Sequence, residues 1–433
     1  MRCFDATVRR KFKGRQVWIL VVATAVLLAP AVARANGAFP DSFQVLLPEE
    51  APDRIYLGTN FGVLVSDDGG ARWSLSCEEA VGTGGMLYQL GWTPGQLFAA
   101  TLSGVSVSGD GACNWSQIGT RDFAAPSDVF VDRAGRRVFA LARPLSGDGG
   151  LGPMSIWVSA GAADAFARAY TAPDGAFLTS VESAQSDPTR LYAAELQFDP
   201  AGHPYLLRSD DSGATWQRFD LKPVAGEDAV AIAAVDPADP DRVFLRLGTA
   251  YGKDALLISE DGGATVRNVK ALAFPMTAFL LRPGGELLIA TNVGEAWVSR
   301  DRGATFERRL WPHVRGLGER GGTLYAVTSH VQDGFALASS TDGGKTWLPL
   351  MDLRHLCGVL ACGALPDTCD LPWQNLSATL SIAPDACDRL PVRTVWQPPP
   401  EGCGSCGAAG GALGAGGALV WAVLRRWRRR SWR

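Results

Sequence analysis

The sequence predicts an all-β fold, a seven-bladed β-propeller whose blades each have four strands. Three observations predict it. An eight-residue turn pattern recurs at a regular step, short apolar runs precede each copy, and no convincing amphipathic helix lies between residues 40 and 350. Small sheets repeated around an axis leave only short, protected sheet edges, so this arrangement is a stable fold for such a repeat.

The turn pattern is most complete at Ser209–Trp216 and Ser340–Trp347. Its Ser and Asp side chains can accept backbone hydrogen bonds, its glycines adopt positive φ without strain, and its Trp buries a large ring at the start of a strand. The serines of the seven copies stand at positions 66, 108, 159, 209, 259, 299 and 340. Each step fits one four-stranded unit. The copy at Ser159 lacks the Asp and is inferred mainly from spacing, so six or eight blades are the alternative.

Two strand-length apolar runs precede each turn, as Arg54–Leu57 and Gly62–Val65 do in the first unit. They are rich in β-branched and aromatic residues and are bounded by turn residues, which is typical of strands. We expect the first strand near Phe43–Leu46 and the last near Leu350. The predicted propeller domain is residues 36–351.

The turn pattern resembles the Asp-box, or bacterial neuraminidase repeat, with consensus Ser-x-Asp-x-Gly-x-Thr-Trp. Departures from that consensus are Arg72, Ala112, Asn114, Val266 and Phe306. The resemblance implies that each turn joins the third and fourth strands of a blade, at the periphery and away from the binding face. Over about residues 43–350 it also extends to propellers described as photosystem II stability/assembly-factor-like and to sortilin-like domains, which are binding or assembly proteins.

The recurring turn residues are predicted to be structural, because an active site uses different residues once each whereas a scaffold repeats the same residue. These predicted structural residues are Ser66, Asp68, Trp73, Ser108, Asp110, Trp115, Ser209, Asp211, Trp216, Ser259, Asp261, Ser299, Asp301, Phe306, Ser340, Asp342 and Trp347.

Charge is segregated along the chain. Of the 41 basic residues, seven lie in residues 1–35 and six in 407–433, and Asp5 is the one acid there, which leaves 28 basic and 43 acidic residues between. A body this acidic argues against nucleic acid as a partner.

The N-terminal end has the pattern of a signal peptide, residues 1–35. A basic stretch precedes the apolar run Val17–Leu28, and small residues define a cleavage site that we expect after Ala35. The alternative is an uncleaved anchor. Arg9 and Arg10 also resemble a twin-arginine export signal, so the export route is open.

The C-terminal end has three parts after a Pro-rich linker, residues 393–402. Cys403 and Cys406 precede a small-residue apolar run, 407–424, that is just long enough to span a bilayer, and an Arg cluster follows. This order resembles the MYXO-CTERM sorting tails of myxobacterial surface proteins. The resemblance implies processing near Cys403 by a sorting protease and delivery to the cell surface, with at least transient membrane anchoring over 403–433. A permanent anchor is the alternative.

The body carries six cysteines: Cys77, Cys113, Cys357, Cys362, Cys369 and Cys387. An even number in an exported chain favours disulfides over a metal site, and we expect neither a metal nor a cofactor. We expect a Cys77–Cys113 bridge between adjacent blades, with the other four cysteines paired among themselves. Four of the six lie in residues 352–392, a predicted disulfide-stapled segment.

Binding residues are expected on the face opposite the turns, which is built from the loops between second and third strands and between blades. The candidates are Asn60, Arg143, Glu195, His203, Tyr251, Lys253, Asp254, Asn292, His330 and Asp333.

The leading functional hypothesis is a surface-displayed, monomeric propeller that binds a protein or glycan partner without catalysis. The alternatives are a secreted carbohydrate-active hydrolase and a purely structural envelope component. A sialidase is disfavoured, because among the candidate loop residues Arg143 is the one arginine and the chain opens Phe39-Pro40-Asp41 without an Arg-Ile-Pro motif. No catalytic residue is assigned from the sequence.

Overall fold

The repeat units fold into seven antiparallel sheets, each made of four strands that are consecutive in the chain. The computed structural model describes residues 39–399 apart from 86, 119–122, 146–149, 162–164, 199–201, 250–251 and 389–393. The prediction of seven four-stranded blades is confirmed, and the third unit, inferred from spacing, is a complete blade.

The seven blades follow one another in chain order. Blade one is β1–β4 (Ser42–Leu46, Ile55–Thr59, Gly62–Ser66, Ser74–Cys77) and blade two is β5–β8 (Leu87–Leu90, Leu97–Thr101, Gly104–Ser108, Ser116–Ile118). Blade three is β9–β12 (Phe123–Asp132, Arg137–Pro144, Ser155–Ser159, Ala167–Thr171) and blade four is β13–β16 (Ala176–Ser183, Leu191–Gln197, His203–Ser209, Gln217–Asp220). Blade five is β17–β20 (Ala229–Val235, Val243–Gly248, Asp254–Ser259, Arg267–Ala271), blade six is β21–β24 (Met276–Leu281, Leu287–Thr291, Glu295–Ser299, Glu307–Leu310), and blade seven is β25–β28 (Val314–Arg320, Thr323–Thr328, Leu337–Ser340, Leu348–Met351).

The ring closes where blade seven meets blade one. Strand β25 lies against β1, and a Cβ on Gly316 would come within 2.5 Å of the Phe43 carbonyl oxygen, so glycine permits the close approach. At the same seam Arg315 forms an ion pair of 2.6 Å with Asp41. Each first strand contacts the first strands of both neighbouring blades, which completes the circle.

Second and third strands form the core between blades. Every residue of β2, β3, β6 and β22 is buried, which explains why these runs read as continuously apolar. Large rings such as Tyr56, Phe98, Phe139 and Phe244 are fully buried between sheets. Each such side chain contributes about 1.5–3 kcal/mol through removal of apolar surface from water.

The repeated turns each join a third strand to a fourth strand. In the last one, Ser340 Oγ accepts from the Gly344 amide at 2.9 Å and donates to Asp342 Oδ1 at 2.8 Å. Asp342 Oδ1 accepts from the Thr346 amide, and the Thr346 hydroxyl donates to Asp342 Oδ2. These bonds hold the pKa of Asp342 at about 2 although burial opposes them. The same Ser–Asp bond recurs in the turns at Ser66, Ser108, Ser209, Ser259 and Ser299.

The third turn, at Ser159, lacks the Asp of the repeated pattern and has a different hydrogen bond. Ser159 Oγ donates to the Gly161 carbonyl at 2.7 Å. No Asp stands at the position that binds the Ser hydroxyl in the other six turns.

Helices are short and lie outside the sheets. One-turn helices α1 (Glu78–Val81), α2 (Lys222–Ala225) and α3 (His330–Asp333) sit in loops, and α4 (Leu365–Thr368) and α5 (Asp370–Leu380) follow the last blade. A 3-10 turn, Leu353–His355, leads into that C-terminal segment. Within residues 39–399, as far as they are described, no helix is long and apolar enough to cross a bilayer. The predicted signal peptide and sorting tail lie outside the described residues.

The C-terminal segment, residues 352–399, runs along the outer edge of the ring. Leu75 of β4 donates to the Gly358 carbonyl and accepts from the Leu360 amide, so the segment adds a short parallel strand to blade one. Further along, the backbones of Trp347 and Trp396 exchange two hydrogen bonds beside blade seven. The segment therefore covers unpaired strand edges on both sides of the ring closure.

Three disulfides hold this segment: Cys77–Cys369, Cys113–Cys362 and Cys357–Cys387. The expectation of disulfides is confirmed, but the predicted Cys77–Cys113 bridge is wrong. Cys77 ends β4 and faces the segment that pairs with this strand, which brings Cys369 to it. Adjacency of blades suggested the wrong partner, because the C-terminal segment pairs with β4 and supplies partners to both Cys77 and Cys113. The expectation that the other four cysteines pair among themselves is therefore also wrong.

Loss of the two ring-to-segment disulfides should destabilise the protein much more than loss of the third. Cys77–Cys369 and Cys113–Cys362 span 292 and 249 residues, whereas Cys357–Cys387 spans 30 within the segment. Each contributes about 3–5 kcal/mol in the chain-entropy model, more for longer loops. We expect the quadruple Cys→Ser variant to lose at least twice the unfolding free energy lost by C357S/C387S, measured in urea. Equal losses would contradict the role given to the segment.

Candidate functional site

The propeller has two faces of different construction. One, the turn face, carries the repeated turns and the loops between first and second strands. The other, the loop face, carries the loops between second and third strands and the connections between blades. Contacts follow this division: the Gly262 amide donates to the Asp241 carbonyl on the turn face, and the Ser329 amide donates to the His313 carbonyl on the loop face.

Glu195, a candidate binding residue, is buried between blades three and four. Its carboxylate bonds to the Arg218 guanidinium, and the Tyr170 hydroxyl donates to it at 2.9 Å. Burial and this neighbouring negative charge raise the pKa of Tyr170 well above its usual range. Arg218 also lies 3.9 Å from the centre of the Tyr205 ring. The arrangement fills a junction between blades and leaves the Glu195 carboxylate facing no solvent.

Two further acids from the candidate set are likewise engaged. Asp254 accepts from Arg246 Nε at 2.7 Å and from the Met276 amide at 2.8 Å. Asp333 accepts from the amide and from ring Nδ1 of His313. Both carboxylates are almost fully buried, so they serve to position loops between blades.

The remaining candidates are spread around the ring. His203 stacks on Tyr205 and bonds to Asp220, and Asn60 Oδ1 accepts from the Asp41 amide. Arg143 Nη1 bonds to the Gly152 carbonyl, while Lys253 and Asn292 are exposed. His330 is nearly buried, and that burial lowers its pKa. Tyr251 lies outside the described residues. These side chains do not converge on one polar centre.

The loop face is marked instead by exposed apolar side chains. Of thirteen large hydrophobic residues exposed in the described part of the chain, nine lie on this face, contributed by six blades and their connections. The largest exposed fractions are 68% for Val331, 58% for Leu151 and 57% for Leu102. The nine residues are Leu87, Leu102, Leu145, Leu151, Phe198, Val224, Phe274, Val293 and Val331.

The turn face is charged. A groove of about 300 Å³ between blades five and six is lined by ionic side chains that largely satisfy each other. Arg242 pairs with Glu260 at 3.1 Å and Arg267 approaches the same carboxylate at 3.8 Å. Such internal compensation is typical of a scaffold surface.

Two carboxyl groups on first strands were not among the residues predicted from the sequence. Asp128 on β9 accepts from the Val181 amide at 3.2 Å, and Glu182 on β13 accepts from the Val235 amide at 3.1 Å. Burial raises the pKa of Asp128 to about 6, and burial together with the nearby Asp128 raises that of Glu182 to about 7. The signal in the sequence was an acid inside a first strand, next to valine residues on both strands. No group of three or more metal-ligating side chains is found in the residues that the structure describes.

The fold defines the chain as a seven-bladed β-propeller. No family model matches the sequence, and no curated protein matches it. YCF48 from Cyanidioschyzon merolae is similar in structure at 12% identity, over 67% of this chain and 94% of that one, with a TM-score of 0.47.

Two larger proteins match part of this chain in structure. A GH74 xyloglucanase from Xanthomonas campestris matches at 17% identity over 69% of this chain, with a TM-score of 0.39. The extracellular domain of a putative one-component system from B. thetaiotaomicron matches at 14% identity over 70%, with a TM-score of 0.48. The chain spans only 50% and 39% of these proteins, and identities this low show a shared fold alone.

Arg218→Ala should destabilise the protein through Glu195. It removes the cation beside a carboxylate that has no exposed surface, so we expect a loss of about 2 kcal/mol of unfolding free energy in urea. Arg308→Ala is the matched control, because Arg308 pairs with Glu295 at a more exposed site and should cost about 1 kcal/mol or less. Adding Glu195→Gln to Arg218→Ala should recover part of the loss. No recovery would show that Arg218 acts through packing and not through this charge.

Proposed function

We propose that this chain is a non-catalytic binding protein whose loop face docks a protein partner. The observation that carries the proposal is the concentration of nine exposed apolar side chains on one face. Scattered exposed hydrophobic residues are ordinary, but a group confined to one face of a propeller is typical of an interaction surface.

The chemistry of this face favours protein over glycan. Seven of the nine side chains are aliphatic, and Phe198 and Phe274 are the two aromatic ones. A sugar needs hydrogen-bond partners for its hydroxyl groups, since a polar group buried without a partner is costly. Leu and Val tips offer none, whereas an apolar protein surface is complementary to them.

The alternative of a glycoside hydrolase has weaker support. Such an enzyme needs two carboxyl groups flanking the scissile bond. The acids proposed from the sequence and described by the structure are Glu195, Asp254 and Asp333, and each is almost fully buried and bonded to a basic side chain. These bonds and their burial hold the three carboxylates in structural positions between strands and loops.

The proposed setting is the outer cell surface, which the signal and sorting patterns of the two termini support. An exported protein cut after Ala35 would begin at Asn36 and lose its tail near Cys403. We expect mass spectrometry of the protein purified from native membranes to find both new ends. A chain that retains residues 1–35 would contradict the predicted cleavage.

Charge placed on the loop face should weaken binding. We expect the immobilised full chain to select peptides with apolar anchors from a random peptide phage library. Phe198→Asp and Val331→Asp should each raise the Kd of a selected peptide by about tenfold or more, because burial of one such side chain is worth about 1.5–3 kcal/mol. Calorimetric titration of synthetic peptides measures this change.

Leu371→Asp is the matched control. Leu371 lies on α5, is 65% exposed and is not one of the nine apolar side chains of the proposed surface, so its change adds the same charge without altering any of them. Equal binding by all variants, or selection of no peptide, would overturn the docking proposal. Release of reducing sugar from a polysaccharide array would establish the hydrolase instead.

A further inference from the structure

Side chains supply many of the bonds between blades, because no strand ladder connects one sheet to the next in the part of the chain that the structure describes. At several joints a neutral group from a first strand bonds to the backbone of the next first strand. Gln44 Oε1 accepts from the Tyr88 amide at 3.0 Å, Ser180 Oγ accepts from the Ile232 amide at 2.7 Å, and the Thr277 hydroxyl donates to the Val314 carbonyl at 2.6 Å. These groups keep the same charge at every ordinary pH.

Two joints use carboxyl groups for the same task. Asp128 links blade three to the Val181 amide of blade four, and Glu182 links blade four to the Val235 amide of blade five. Both side chains are surrounded by protein atoms, although part of each residue's surface is still reached from solvent. An amide at this position needs only an acceptor, and the carbonyl oxygen of a neutral carboxyl group can supply one, although a carboxylate accepts more strongly.

The surroundings offer these carboxyl groups no compensating cation. Neither forms an ion pair with any residue that the structure describes, and the charge acting on Glu182 is the like charge of Asp128. Facing Glu182, β14 presents Tyr192, and β17 presents Val235, beyond which Asp236 and Arg242 approach each other at 4.0 Å. Ionisation of both acids therefore places two interacting negative charges on adjacent first strands, with no cation paired to either among the residues that the structure describes.

We propose that Asp128 and Glu182 make the joints between blades three, four and five responsive to pH, so that the joints tighten when these groups bind protons and loosen when both are ionised. This conformational device is independent of the partner proposed for the loop face. It uses acids that belong neither to the binding surface nor to the repeated turns.

The direction of the effect follows from linkage. Both pKa values are raised in the folded protein, to about 6 for Asp128 and about 7 for Glu182. The folded joint therefore holds protons that an opened joint releases, so its stability is fully present below about pH 4 and is lost as pH rises through 6 and 7.

Hydrogen exchange of the full chain between pH 5 and 8 tests the proposal at the amides that the acids bind. After correction for intrinsic exchange, the opening equilibrium at Val235 and Val181 should rise on the order of tenfold as pH rises. The Tyr88 amide, bound by Gln44, is the internal reference and should change little. Glu182→Gln should make exchange at the Val235 amide as insensitive to pH as exchange at the Tyr88 amide. Asp128→Asn should do the same for the Val181 amide.

A gain-of-function variant completes the test. Gln44→Glu places a carboxyl group at the joint between blades one and two, and the Tyr88 amide should then acquire the pH dependence of Val235. Equal pH dependence of Val235 and Tyr88 in the unmodified protein would overturn the proposal without any variant. So would an unchanged profile at Val235 in Glu182→Gln.

Discussion

The absence of any strand ladder between blades is the constraint on which the rest of this structure depends. Seven sheets that share no ladder must be joined by packing, by side-chain hydrogen bonds and by the contacts between blades seven and one. Buried second and third strands supply the packing, and first-strand side chains such as Gln44 and Ser180 supply the bonds. Contacts between blades seven and one close the ring, and the C-terminal segment covers strand edges on both sides of this closure.

The same constraint separates the two faces. Each repeated turn satisfies its own polar groups, as the bonds among Ser340, Asp342 and Thr346 show, so the turn face can be charged without needing a partner. The loops of the other face have no repeated pattern to maintain. Because the tips of these loops vary from blade to blade, they can form an interaction surface.

The fold was predictable from the sequence because it repeats. Seven copies of one pattern indicated the blade number, and apolar runs indicated the second and third strands. The disulfide partners were not predictable in this way. Cys369 reaches Cys77 through pairing of Gly358 and Leu360 with Leu75, a tertiary contact that leaves no periodic trace in the chain.

The candidate site was harder to predict, since polar loop residues were the signal that the sequence offered. Glu195, Asp254 and Asp333 stood out for that reason, and their charges turn out to be buried and paired. Leu151 and Phe198 lie in loops of the same face but were not predicted, because an apolar residue in a single loop does not by itself indicate a binding surface. Only the fold shows that such tips from different blades share a face.

The connection of Cys369 to Cys77 also has a consequence for biosynthesis. In the export proposed for this chain, Cys77 and Cys113 would reach an oxidising compartment long before Cys362 and Cys369 arrive. Until then these early thiols can pair wrongly, including with each other. Correct assembly therefore depends on a disulfide isomerase or on blade one hiding its thiol, and the order of translocation becomes part of the folding pathway.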